Sequence, residues 1–350
     1  MAVKSGNTVT IKTVAEHLGV SHQTVSHVLS GNAKKRGVAE ITTLRVQKKA
    51  KELGYVPNLW ARNLQKTRTG IVSILFDGLR QNWAERVLIS AEEVLEKSGY
   101  VTMIAVYGRL PMDIKISRDT EQRKIEAILQ RRDEGVICQP SPHTKKGYLL
   151  LNEQQTPLVF MGSILEDMTG LKNISSVTWD CGPAAKAIVR YLAKSGRRRI
   201  AFVGGQHGVH SDAIRFEAFK EAMDEVGLPV RPEWVIWDPM TSTWTEEMIR
   251  PLFVDPREKP DAIFAINDTF ATFILEAARR LGIKVPDDVA ITGMGNLTIA
   301  AGCGMTTVRE PLEEIGQNAA EVMLELLKDP AQAPIHRKIS SEEVFVRNTA

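Results

Sequence analysis

Between residues 71 and 293 short apolar runs alternate with amphipathic stretches, and that alternation leaves few folds open. The apolar runs fall at 71–76, 101–106, 135–138, 158–161, 200–203, 235–237, 262–266 and 289–293. The amphipathic stretches fall near 82–98, 119–131, 181–195, 211–226, 244–253 and 268–281. Such runs have the length of buried strands, and the stretches between them have the length and period of helices. Repeated strand–helix units build parallel sheets with helices on both faces. Eight or more units over roughly 280 residues suit two doubly wound sheets better than one, and such sheets take ligands in a crevice at the carboxyl ends of their strands.

Several classes are argued against. No run of about 18 apolar residues is present, so no membrane-spanning helix is expected, and the first residues, MAVKSGNTVTIK, lack the apolar core of a secretory signal. Cys138, Cys181 and Cys303 lie far apart, fit no metal-ligand spacing and read as reduced thiols of a cytoplasmic protein. No phosphate-binding loop or nucleophile elbow occurs, and Gly293-x-Gly295 lacks the third glycine of a dinucleotide site. His207 and His210, three apart, resemble a metal pair only superficially, so no metal site, cofactor or enzymatic activity is expected.

The total charge of +3 hides an asymmetry. Residues 1–69 hold twelve Lys and Arg against three acids, a net +9, which leaves −6 for the remainder. A basic head on a mildly acidic body suggests that the head meets a polyanion. Its sequence is also periodic. Ile11, Val14, Ala15 and Leu18 share a helical face, Gly19 fits a left-handed stop, and Ser21 is a good cap for a second helix whose Val25, Val28 and Leu29 face inward. Two short helices joined at a glycine are the helix-turn-helix pattern. A third helix is expected near 41–53, with Lys48, Lys49 and Lys51 on its exposed side and Gly54 at its end.

VTIKTVAEHLGVSHQTVSHVLSGN followed by KELGYVPNLWARNLQ resembles the lactose-repressor family of bacterial transcription regulators, specifically over 9–69 and more loosely to about 346. The resemblance implies a helix-turn-helix DNA-binding domain at 1–57, a hinge helix and linker at 58–69, and an effector-binding and dimerisation body at 70–350. In such heads the second helix enters the major groove. Gln23 is then placed to bond adenine, with His22, Ser26 and His27 also at base edges, while Lys12, Ser21 and Thr24 hold phosphates. His27 departs from the arginine common in the family, and 33–37 forms a longer loop, either a phosphate contact or a mobile insertion. Leu64, flanked by Ala61 and Arg62, matches the hinge leucine that wedges into the minor groove.

For the body the resemblance implies a periplasmic-binding-protein-like fold with three crossovers, near 174–177, 304–306 and 337–339. One subdomain would then take about 70–175 and 306–337, the other about 176–305 and 338–350. Asp268, just past a strand, is a candidate to accept two sugar hydroxyls or else a helix cap. Arg215 matches the family's ligand-binding arginine, and Trp83 falls where the family places an aromatic. Trp237 and Trp244 bracket another strand end, Asp77 closes the first strand, and Gly295-Asn296 replaces a common acidic pair. The expected partners are double-stranded operator DNA, a sugar-like small-molecule effector and a second copy of the chain, with no membrane. The competing readings are a solute-binding protein with a basic extension and a sugar-active α/β enzyme.

Overall fold

A computed structural model of the chain describes residues 9–56, 68–76, 78, 84–108, 114–140, 145–162, 170–206, 210–238, 246–253 and 259–350. The chain divides into two units, Met1–Gly70 and Ile71–Ala350.

Among the described residues the first unit holds three α-helices, α1 (Ile11–Leu18), α2 (His22–Leu29) and α3 (Glu40–Glu52). Thr10 caps α1, its hydroxyl accepting from the backbone N–H of Thr13 while Thr13 answers with its own hydroxyl. Gly19 ends α1 at φ 64°, a left-handed conformation that only glycine adopts without penalty, and this turns the chain into α2. Val14, Ala15, Val25, Val28, Val46 and Ala50 close a small core in which each helix supplies two side chains. A core of that size leaves little stability to spare. The insertion at 33–37 is ordered: Ala33 is buried, Lys34–Arg36 form a 3-10 turn, and Arg36 N–H donates to Asn32 O at 3.0 Å.

The second unit holds two six-stranded sheets. The first has the order β11-β5-β4-β3-β1-β2, with β1 (Ile71–Phe76), β2 (Val101–Val106), β3 (Gly135–Cys138), β4 (Leu158–Gly162), β5 (Ser175–Asp180) and β11 (His336–Ser340) all parallel. The second has the order β12-β10-β9-β8-β6-β7, with β6 (Ile200–Gln206), β7 (Val235–Asp238), β8 (Ala262–Ala265), β9 (Ala290–Gly295) and β10 (Thr306–Arg309) parallel and β12 (Val344–Phe345) antiparallel at one edge. Every residue of β1 is buried, as expected of a strand covered on both faces. On the first sheet α4 (Ala84–Lys97) and α12 (Leu312–Lys328) pack together through Val87, Leu88, Ala91, Ile315, Ala319 and Met323. On the second, α7 (Gly182–Lys194) and α8 (His210–Glu225) share a core with Phe202 and Phe264. The remaining helices are α5 (Ile114–Arg131), α6 (Lys146–Glu153), α9 (Glu246–Ile249), α10 (Asp268–Arg280) and α11 (Thr298–Gly302).

The three passages between the sheets fall later than the sequence suggests. β5 and β11 lie in the first sheet and β10 in the second, so the chain crosses after Asp180, after Arg309 and after Ser340 rather than near 174–177, 304–306 and 337–339. The reason is composition. SSVTWD, TTVR and HRKIS are polar strands that each lose burial toward an end or along one face, and none reads as an apolar run.

Candidate functional site

Two surfaces carry the polar side chains singled out by sequence. The first is the N-terminal face of α2. Ser21 caps it, its hydroxyl accepting from Thr24 N–H at 3.0 Å and lying 2.9 Å from the Thr24 hydroxyl. Val25 and Val28 turn into the core, so His22 and Gln23 stand exposed while Ser26 and His27 lie half-buried on the same side. Lys12 on α1 is exposed, as are Lys34, Lys35 and Arg36 on the turn after α2. On α3 Lys48 and Lys51 are exposed as expected, but Lys49 is half-buried and paired with Glu52 at 2.5 Å. The face thus offers amide and imidazole groups on a rigid capped helix, bordered by cations.

The second surface lies where the two sheets of the body meet. Trp179, at the end of β5, packs against the cores of both lobes. The guanidinium of Arg215, on α8, sits 5.2 Å over its ring. One Nη of Arg215 donates to Glu310 at 3.1 Å, and the other lies 3.8 Å from Asp212. Glu310 occupies the second crossing, between β10 and α12, and is 7% exposed. Burial pushes its carboxyl up to about 7, helped by the nearby charge of Asp268 and opposed by Arg215 and Arg86. A few residues away Arg86, on α4, grips Glu313 with bonds of 2.6 and 2.8 Å and reaches the backbone oxygen of Asn296, in the other lobe, at 3.5 Å. Asn296 holds φ 52° and accepts from Arg347 at 2.7 Å. Leu297, beside it, inserts into the core of the first lobe.

Asp268 does not present an open carboxylate here. It is fully buried, with Oδ1 accepting from the Thr307 hydroxyl at 2.5 Å and Oδ2 from Leu297 N–H at 2.7 Å. Burial raises its carboxyl above the ordinary range, against the pull of these bonds. Nor does it cap its helix, since Asn267 does so through Phe270 N–H. Gly293 makes room for it: a side chain there would stand 2.9 Å from the Asp268 Cα. Asp268 therefore ties α10, β10 and the loop after β9 into one block.

Trp237 is half-buried at the end of β7 and packs against the core of the second lobe. Its ring lies 5.4 Å from Phe202 and 5.2 Å from Phe216, and Gly204 admits it. Asp77, Trp83 and Trp244, and the hinge residues Ala61, Arg62 and Leu64, lie outside the described residues. The residues not singled out by sequence are Glu310, Trp179, Arg86 and Arg347. Nothing local to Glu310 announces its pairing with a residue 95 positions away. Among the described residues no three His, Cys, Asp or Glu gather as a metal-binding set, and no helix is long and apolar enough to cross a membrane.

A capped helix-turn-helix head followed by a body of two doubly wound lobes, with charged and aromatic groups converging between them, defines a ligand-responsive DNA-binding regulator. The comparisons agree. Residues 10–58 match the family of bacterial regulatory proteins, lacI family, and residues 189–350 match the periplasmic binding protein-like domain. An HTH-type transcriptional repressor PurR from Vibrio parahaemolyticus serotype O3:K6 is 29% identical over 346 residues, spanning 97% of this chain and 98% of the relative. A transcriptional regulator CelR in complex with cellobiose superposes with a TM-score of 0.68 at 24% identity, over 98% of this chain and 100% of that one. The lac repressor dimer bound to operator and the anti-inducer ONPF superposes with a TM-score of 0.77 at 19% identity, over 97% and 98%. The chain thus joins a head that matches the lacI family of bacterial regulatory proteins to a body that matches the periplasmic binding protein-like domain.

Proposed function

We propose that the chain is a dimeric, cytoplasmic repressor that holds a near-palindromic operator until a small molecule bound between the lobes of its body changes its grip. The observation that carries this reading is the N-terminal face of α2, where Gln23 and His22 stand exposed on a helix fixed by the Gly19 turn and the Ser21 cap. Gln23 suits adenine, which offers a donor and an acceptor side by side in the major groove. His22, Ser26 and His27 complete the reading face, and Lys12, Ser21 and Thr24 position it on phosphates. One hydroxyl of the Ser21–Thr24 pair donates to the other, which leaves the second free to donate to DNA.

In this reading residues 1–57 form the DNA-binding head, 58–69 the hinge with Ala61, Arg62 and the minor-groove wedge Leu64, and 70–350 the effector body. The lac repressor named above is a dimer on operator, and the CelR structure holds cellobiose. A second copy and a hydroxyl-rich effector are assigned here by that likeness. Arg215, Trp179 and Glu310 are the described groups best placed to meet the effector, and Asp77, Trp83 and Trp244 are further candidates. Asp268 is assigned to holding the second lobe together.

The test is selection from a random pool of DNA duplexes by the full chain. A near-palindromic sequence with two half-sites about one helical turn apart is expected. A pool that stays random through the selection removes the proposal.

A further inference from the structure

Arg215 brings an imperfectly satisfied guanidinium to the cleft. Its Nε is buried and makes no hydrogen bond, and the same is true of the indole Nε1 of Trp179 beneath it. Two buried donors within one stacked pair call for an oxygen acceptor. Opposite them Glu310, 7% exposed, is a carboxylate already bound to the guanidinium at 3.1 Å. The other groups around Glu310 are Asp212 on α8, Asp268 on α10, Arg86 on α4 and the thiol of Cys181 ahead of α7; Arg309, Glu313 and Glu314 are its neighbours along the chain. Arg86 is committed to Glu313 through two hydrogen bonds. An incoming carboxylate or phosphate would therefore add negative charge beside acids that already balance Arg215.

We propose that Glu310 sorts effectors by charge: its carboxylate, joined to Arg215, bars anionic oxygen groups and admits a neutral ligand whose hydroxyl accepts from Arg215 Nε and Trp179 Nε1 and donates to Glu310. This rests on the cleft being the effector site. The bar is also conditional on a proton. Burial places the Glu310 carboxyl at about 7, and a protonated Glu310 leaves Arg215 open to an anion. The apparent affinity for an anion then follows the protonated fraction, about tenfold weaker at pH ~8 than at pH ~5.5.

Sulfate is a suitable probe because its charge is constant over this range. Its effect on the melting temperature of the full chain is titrated against chloride of equal ionic strength. Wild type, Glu310→Gln and Arg215→Gln are compared, the last subtracting sulfate held elsewhere, the basic head included. Wild type is expected to bind sulfate through Arg215 about tenfold more tightly at the lower pH. Glu310→Gln is expected to bind it equally at both. Wild type and Glu310→Gln behaving alike at both values would overturn the inference. So would a sugar acid or sugar phosphate that stabilises wild type at pH ~8 in an Arg215-dependent way. Should Glu310→Gln fail to fold, the pH comparison of wild type with Arg215→Gln decides. Retention of operator by the same samples separates the two readings, since a chain that holds DNA but shows no sulfate difference loses this inference alone.

Discussion

Thr307 donates its hydroxyl to Oδ1 of Asp268 at 2.5 Å, joining the strand from which the chain leaves the second sheet to the first turn of α10. The other oxygen of Asp268 holds Leu297 N–H, and Leu297 reaches into the core of the opposite lobe. The aspartate thus supports the loop that spans the cleft.

Asp268→Ala leaves two buried donors, Leu297 N–H and the Thr307 hydroxyl, without their acceptor. Each such loss costs about 1–3 kcal/mol. The body is expected to unfold at a clearly lower urea concentration, by roughly 2–6 kcal/mol in all. A variant with unchanged urea midpoint but no response to effector would make Asp268 a direct ligand instead.

Glu310 links stability to pH. Its carboxyl rises from 4.5 to about 7 on folding, through burial first, so the folded chain holds this proton more tightly than the unfolded chain. The contribution is complete below about pH 4.5, declines as pH rises toward 7, and is lost above it, an effect of at most about 3 kcal/mol. Chemical unfolding of wild type and Glu310→Gln between about pH 5 and about pH 8 checks this. The stability difference between them is expected to shift in favour of the variant as pH rises. A constant difference would show that the carboxyl titrates normally.

Gln23→Ala removes an exposed amide without touching the head's core, which is built from Val14, Ala15, Val25, Val28, Val46 and Ala50. Preference at one base pair of each half-site is expected to relax, by about 1–3 kcal/mol. Repeating the sequence selection with the variant measures it. A uniform loss at every position would mean that Gln23 holds phosphate rather than a base.

Leu64→Ala is expected to weaken binding to the selected operator far more than binding to unrelated duplex, because a wedge acts only where the groove opens for it. Competition titrations on both DNAs decide this, and equal losses would leave the wedge without support.

What the sequence disclosed follows from how local each signal is. The Gly19 turn and the Ser21 cap are settled within a few residues, so the head could be read directly. β1 could be read because burial on both faces demands an unbroken apolar run. SSVTWD and TTVR carry polar residues even where they are buried, HRKIS is exposed along one face, and none offers an unbroken apolar run, so they hid the points where the chain changes sheet. Trp237 shows the limit of reading an aromatic at a strand end. The same signal serves a ligand wall or a packed interior, and the half-buried ring, set against Phe202 and Phe216 with Gly204 beside it, is compatible with both. The Arg215–Glu310 pair is a product of topology, since two crossings of the chain bring its partners together.

The face of α2 is expected to read DNA by sequence while cations around it hold the backbone. Fluorescence anisotropy of the full chain on its selected operator and on a scrambled duplex, across a range of salt concentrations, tests it most directly. Affinity for both is expected to fall steeply with salt, with a logarithmic slope reporting several phosphates. The operator is expected to stay at least about 1,000-fold preferred at physiological salt. Equal affinity for the two duplexes, or binding indifferent to salt, would contradict it.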